Sequence, residues 1–178
     1  MAHASLSTVR HTCRGLFGTS TRASLAAVSL TGSTAFAVRT SGKEGVMALT
    51  ESERALVAAA RDLTTQRFKE GWHHIACALR TRSGRVYRAV HLEATVGRIA
   101  VCAEAIAIGM AAADDDTEID TIVAVNRWGE VVPPCGMCRE LISDYAPEAR
   151  VIVPDDNDET VVPVRWLLPK KYARRELA

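Results

Sequence analysis

From Thr50 onward the chain falls into apolar runs of two kinds, some at helical spacing and some short and nearly continuous. Ala55, Leu56, Ala59, Ala60 and Leu63 recur as one face of a helix, which predicts a helix over about 51–69 that ends near Gly71. Thr50-Glu51-Ser52-Glu53 opens it with a Thr and a Glu three positions on, the signature of a capping box. Apolar-rich runs at 73–81 and 85–93 flank Arg82-Ser83-Gly84 and predict a hairpin. Residues 102–113 are rich in Ala, Ile and Met and read as a helix. Ile119–Asn126 reads as a buried strand, Cys135–Tyr145 as a helix, and Arg150–Pro154 as a further strand. A last short helix is expected around Val164–Leu168, stopped by Pro169. The order α-β-β-α-β-α-β with a closing segment predicts an α/β protein, a sheet covered by helices in a three-layer α/β/α sandwich.

The first 46 residues differ in kind. They are rich in Ser, Thr, Ala and Gly and show no sustained apolar period. Arg10, Arg14, Arg22, Arg39 and Lys43 stand there against the single acid Glu44. Two readings compete: a disordered extension ahead of a start at Met47, or a mitochondrial-type targeting segment, which would be Arg-rich, Ser-rich and poor in acids. The expected division is therefore 1–46 as an extension and 47–178 as one domain. With 178 residues, the chain has room for one domain with a proper core, not two ordinary ones. Its net charge of +1 and its 5% aromatic content give no basic stripe with interleaved aromatics, so no nucleic-acid polymer is expected as a partner. No apolar stretch is long enough to span a bilayer, and no membrane partner is expected either. The expected compartment is the cytoplasm, or the mitochondrion if residues 1–46 act as a transit peptide.

The five cysteines, Cys13, Cys77, Cys102, Cys135 and Cys138, are odd in number and include a C-x-x-C pair. That argues for reduced thiols with metal or redox work rather than a disulfide scaffold. Cys77 lies mid-strand and reads as core; Cys13 lies in the extension. Cys102-Ala103-Glu104 and Pro134-Cys135-Gly136-Met137-Cys138 each begin a predicted helix. A helix N-terminus directs free N–H groups at a sulfur and favours its thiolate, the form that binds zinc. Three protein ligands leave a fourth tetrahedral position for water, as in catalytic zinc sites. Glu104, two positions from a ligand, is the candidate proton carrier. A redox pair or half of a zinc ribbon would also contain C-x-x-C, but a ribbon requires a second such pair and neither explains Glu104. A Cys or His ligand with a nearby non-ligand Glu, followed by P-C-x-x-C, is the signature of zinc nucleobase deaminases.

On Val101-Cys102-Ala103-Glu104, Pro134-Cys135-Gly136-Met137-Cys138-Arg139-Glu140-Leu141 and Leu167-Leu168-Pro169, the chain resembles the cytidine deaminase family, including its blasticidin S deaminase branch, over about residues 50–172. The resemblance implies a cytidine-deaminase-like fold with a mixed sheet, one Zn²⁺ per subunit, a homotetramer (or homodimer), and hydrolytic loss of ammonia from a cytosine-like ring, as in pyrimidine salvage. It implies Cys102, Cys135 and Cys138 as ligands and Glu104 as the catalytic residue, with substrate contact at His91, Glu93 and Ala103. Glu93 matches the family's sugar-binding Glu, whereas His91 stands where nucleoside-specific members have Asn. His73 replaces a substrate-packing Phe, and Gly97 and Arg98 replace a Tyr and a Gly. His91 also reads as a solvated or structural histidine, and His73 and His74 as polar residues at a strand edge. Members with three cysteines commonly hydrogen-bond the sulfurs through two arginines. Here Ala105 occupies the first of those places, and Arg139 remains to carry the compensation behind the ligands, with Arg98 as a second candidate.

Three functions stay open on these residues: deamination of cytidine or deoxycytidine, deamination of another aminated heterocycle such as blasticidin S, and a non-catalytic zinc-stabilised or redox domain. None assigns chemistry to residues 1–46. A chain beginning at Met47 is expected to fold and to keep full activity, checked by circular dichroism and turnover against the full-length protein; loss of either would place function in the extension.

Overall fold

The computed structural model describes residues 48–156 and 158–172. The 1–46 extension, the start at Met47 and Cys13 lie outside the described residues. The first helix, α1 (Glu51–Arg67), begins as expected: the Thr50 hydroxyl accepts the Glu53 N–H at 3.3 Å, and the Glu53 carboxylate accepts the Thr50 N–H at 2.8 Å. It stops short of Gly71 because Phe68 turns extended (φ −51°, ψ 130°). Gly71, at φ +74°, instead serves a tight turn closed between Lys69 and His73, a left-handed conformation that glycine adopts without penalty.

The expected hairpin is β1 (Ile75–Thr81) and β2 (Val86–Val90), antiparallel around Gly84. Next come α2 (Ala103–Ala113), β3 (Ile119–Asn126), the two-residue β4 (Val131–Val132), α3 (Gly136–Tyr145), β5 (Arg150–Asp155), β6 (Asp158–Pro163) and α4 (Val164–Leu167). The sheet runs in the order β2-β1-β3-β5-β6, with β4 paired to β3. Only β3 and β5 are parallel; the other pairs are antiparallel, so the sheet is mixed. Sequence pattern reveals neither β4 nor β6. The former is two residues long, and the latter opens on Asp158-Glu159 and ends on Pro163, so its apolar run is too brief to stand out.

Alternation along the central strands feeds two cores. Cys77, Leu79, Ile122, Val151 and Val153 face α2 and α3 on one side. Ala76, Ala78, Val123, Val125 and Ile152 face α1 on the other. Burial on both faces makes β1 and β3 nearly continuous apolar runs, as expected of central strands. The α/β/α layering is the one the element order implies, and Cys77 is fully buried in it.

One polar network ties the start of α1 to the sheet. Arg150 donates to Glu53 at 2.6 Å and to Asp120 at 3.1 Å, and Arg80 donates to Asp120 at 2.5 Å. Against the upward push of burial, the Thr50 hydrogen bonds and the Arg150 guanidinium hold the Glu53 carboxyl below its ordinary value. Burial likewise pushes Asp120 up, but the hydrogen bonds from Arg80, Thr121 and Arg150 win and hold it low.

A carboxyl held low in the fold stabilises it above the unfolded pKa, and that contribution is lost as pH falls through the folded value. Thr50→Ala is expected to cost about 1 kcal/mol in urea unfolding at neutral pH. Glu53→Gln should be less stable than wild type at pH 7, with the gap closing as pH drops below about 4; a gap independent of pH would show that the Glu53 charge contributes nothing.

Candidate active site

Both metal motifs sit at helix starts. Cys102 is the N-cap residue of α2 and Cys135 that of α3, and Cys138 lies in the first turn of α3. A two-way backbone bridge between Leu92 and Val101 (both N···O 2.9 Å) pins the chain entering α2 against the end of β2. On the other side β4 leads through Pro133 and Pro134 into Cys135. The three sulfurs therefore converge, all within 4.8 Å of one another, with Cys102 and Cys135 at 3.7 Å. A tetrahedral zinc with bonds of about 2.3 Å requires its sulfurs about 3.8 Å apart. The donor set fits that ion.

The electrostatics agree. Burial pushes the Cys102 and Cys138 thiols up, and Glu104 adds to both; the Cys138 thiol partly offsets the rise at Cys102, while Cys135 adds to it at both. Burial acts on Cys135 too, but hydrogen bonds from the Cys138 and Met137 backbone N–H groups and from the other thiols bring it below its ordinary value. Helix-start amides thus favour one thiolate; three at this spacing call for a cation to neutralise them.

Beside the sulfurs opens a cavity of about 350 Å³. Cys102, Ala103, Glu104 and Cys135 form its floor at the sulfurs, and Ile75, His91, Ala100, Val101, Val132 and Pro133 line the rest. Glu104 is only 5% exposed. Burial raises its carboxyl above the usual carboxylate value, countered in part by its own backbone N–H and by the Cys138 thiol; a cation among the sulfurs would draw it back down. A carboxyl so placed can accept and return a proton close to the metal cradle.

The description "Cytidine and deoxycytidylate deaminase zinc-binding region" belongs to the family profile that matches residues 50–153. The chain belongs to that family. It is accordingly a zinc-dependent hydrolytic deaminase, which overturns the alternative of a non-catalytic or redox domain. The enzyme is 42% identical to the blasticidin-S deaminase of Bacillus cereus over 134 residues, 71% of this chain and 96% of that one. Among solved structures, the cytidine deaminase of Burkholderia pseudomallei is 25% identical with a TM-score of 0.59, covering 70% of this chain and 100% of that one. That of Mycobacterium leprae, 24% identical with a TM-score of 0.59 over 66% of this chain and 97% of that one, supports the fold.

The structure brings together Cys102, Cys135, Cys138, Glu104, Ala103 and His91, but not Glu93. That residue is half-buried, its carboxylate accepts the Ala94 N–H at 3.1 Å, and it is absent from the cavity wall. Arg139 also departs from expectation. Its guanidinium donates to the Pro134 carbonyl at 2.8 Å and the Leu167 carbonyl at 3.3 Å, not to a sulfur. It thus clamps the turn that carries Cys135 to the end of α4. Arg98 stands exposed on a 3₁₀ turn (Gly97–Ile99) and makes no hydrogen bond to the cluster. His73 and His74 flank His91 with ring centroids at 6.4 and 5.4 Å, and neither lines the cavity. Sequence reasoning missed the apolar wall of Ile75, Ala100, Val132 and Pro133; the Val131-Val132-Pro133-Pro134 run just ahead of Cys135 was the available signal.

Removing the Arg139 clamp should loosen the Cys135 turn. Arg139→Gln is expected to weaken zinc binding by about 10–100-fold in a chelator competition, and Arg139→Lys to recover only part of that, since one ammonium cannot span both carbonyls. Unchanged zinc affinity in Arg139→Gln would remove the clamp from the account.

Proposed function

We propose that the enzyme deaminates the cytosine ring of a blasticidin-S-like nucleoside, with Cys102, Cys135 and Cys138 holding the zinc and Glu104 moving the protons. The 42% identity to a blasticidin-S deaminase across 96% of its length carries the choice of substrate. The position of Glu93 outside the cavity wall supports it, because the acid that would take a ribose hydroxyl is turned to its own loop. Cytidine or deoxycytidine is the second reading, favoured by the solved cytidine deaminase that matches at 25% identity over its whole length; in that case the enzyme would serve pyrimidine salvage.

Zinc at the three thiolates supplies Lewis-acid activation of the attacking water. The remaining work falls to the chain. The apolar walls from Ile75, Val132 and Pro133 shape a slot for a flat ring and exclude bulk water from it. Glu104 receives one proton as the water oxygen bonds to the amine-bearing carbon and passes it to the adjacent ring nitrogen; it then takes the remaining proton from the new hydroxyl and carries it to the departing amine. The carbon–nitrogen bond breaks, ammonia leaves, and a carbonyl remains on the ring.

Two wider proposals rest on the surface and the thiols. A homotetramer is supported by exposed apolar side chains, Val101 at the cavity among them, with Ile99 and Met110 elsewhere on the surface. A reducing compartment such as the cytoplasm is supported by Cys77, Cys102, Cys135 and Cys138 all being free thiols.

The test is ammonia release from blasticidin S, cytidine, deoxycytidine and cytosine. Blasticidin S is expected to give the highest kcat/KM, and Glu104→Gln to retain zinc while losing at least about 100-fold in kcat. Preference for cytidine would establish the second reading, and an active Glu104→Gln enzyme would remove Glu104 from the mechanism.

A further inference from the structure

His91 does two jobs at once, and the first restricts the second. Its Nδ1 accepts the backbone N–H of His74 at 2.9 Å and that of Ile75 at 3.1 Å. An Nδ1 that accepts has no proton of its own, so a neutral ring carries its proton on Nε2. Two N–H groups aimed at Nδ1 also oppose adding a proton there. The neighbours act in both directions: partial burial, the His74 ring and the His73 ring hold the imidazolium below its usual range, while Glu93 and a backbone hydrogen bond at Ile75 pull it up. His73 reaches His91 through the carbonyl, its Nδ1 lying 2.9 Å from that oxygen. His91 lines the cavity, and among the described residues its Nε2 has no hydrogen-bond partner.

The cavity wall thus offers the substrate a donor that cannot accept. A sugar hydroxyl placed there could only accept from Nε2–H and would have to find an acceptor for its own hydrogen away from this residue; Glu93 does not line the cavity, and its Oε1 accepts the Ala94 N–H. An ionised carboxylate has only acceptor oxygens and forms the stronger, charge-assisted bond. We propose that His91 is a specificity-determining residue that reads a carboxylate on the substituent carried by the cytosine ring. This rests on the substrate reading above and narrows it to cytosine nucleosides built on a sugar acid.

Binding separates this role from the structural one. The probes are blasticidin S, whose sugar bears a carboxylate, and its methyl ester, titrated by calorimetry into zinc-loaded Glu104→Gln enzyme so that nothing is turned over. Esterification is expected to weaken binding by roughly 10-fold or more. Adding His91→Asn should reduce that ratio to about one while leaving the thermal midpoint nearly unchanged. The Asn carbonyl can still accept the two N–H groups at the Nδ1 position, but its amide lies too far back to replace Nε2–H. His91→Gln, which loses the inner acceptor, should instead lower the midpoint.

An equal ester penalty with and without His91 would overturn the assignment while leaving the deamination of blasticidin S intact. Binding that favours the acid through His91, with no ammonia released by wild type, would overturn the substrate reading and leave the assignment standing. Absence of any binding would overturn both.

Discussion

Three sulfurs within 4.8 Å of one another cannot all carry negative charge in a half-buried pocket unless a cation sits among them. That electrostatic demand organises this part of the molecule. Two helices, α2 and α3, begin at the cluster, so their free N-terminal amides lie where the sulfurs gather. The sheet order makes this geometry available. β1 and β3 lie side by side in its centre, α2 and α3 pack on one face of them, and the helix starts meet at one end of that face. The Arg80–Asp120–Arg150–Glu53 network ties α1 to the opposite end, where the residues opening β3 and β5 meet those closing β1. Rigidity there and charge at the site are thus kept apart.

The parts of this arrangement that could be read from sequence are those set by local chemistry. The capping box at Thr50 and Glu53, the hairpin turn at Gly84 and the cysteine-led starts of α2 and α3 all depend on residues within a few positions of one another. The cysteine cluster joins residues thirty-three positions apart and was legible for another reason: a catalytic zinc site imposes its donor types and their helix-start placement whatever lies between. The elements that escaped have no such local signature. β4 exists because Val131 and Val132 find Val125 and Ala124 across a turn, and β6 because β5 offers it an edge along its whole length. Both pair with the strand just before them, but β4 is two residues long and β6 opens on two acids and ends on Pro163, so neither shows an apolar run that marks a strand.

The same distinction explains why side-chain roles were harder than side-chain positions. Arg139 follows Cys138 directly, yet its guanidinium reaches back to Pro134 and across to Leu167, twenty-eight residues away. A long flexible side chain bonds whichever carbonyl the fold leaves unpaired, and α4 leaves one at Leu167. Glu93 and His91 lie two residues apart near the end of β2, but only His91 lines the cavity. The bridge between Leu92 and Val101 fixes the backbone between them; strand alternation alone would put both on one face, and the irregular backbone after Leu92 separates them.

This division of labour bears on how one chemistry serves different substrates. The floor of the cavity is rigid: Cys102, Ala103 and Glu104 belong to the first turn of α2 and its cap, and Cys135 caps α3. Apart from Ile75 at the start of β1, its walls come from connecting pieces: the residue after β2, the loop ahead of α2 and the end of β4 with the proline that follows. A change of Asn-like to His-like chemistry at position 91 leaves the proton path through Glu104 alone but takes an acceptor out of the wall and leaves it a donor. Because His91 also caps the first N–H groups of β1, its ring cannot turn to present the other nitrogen without breaking both bonds. The strand's own requirement for an acceptor therefore dictates the hydrogen-bonding sense of the wall, and a fold constraint becomes a substrate preference.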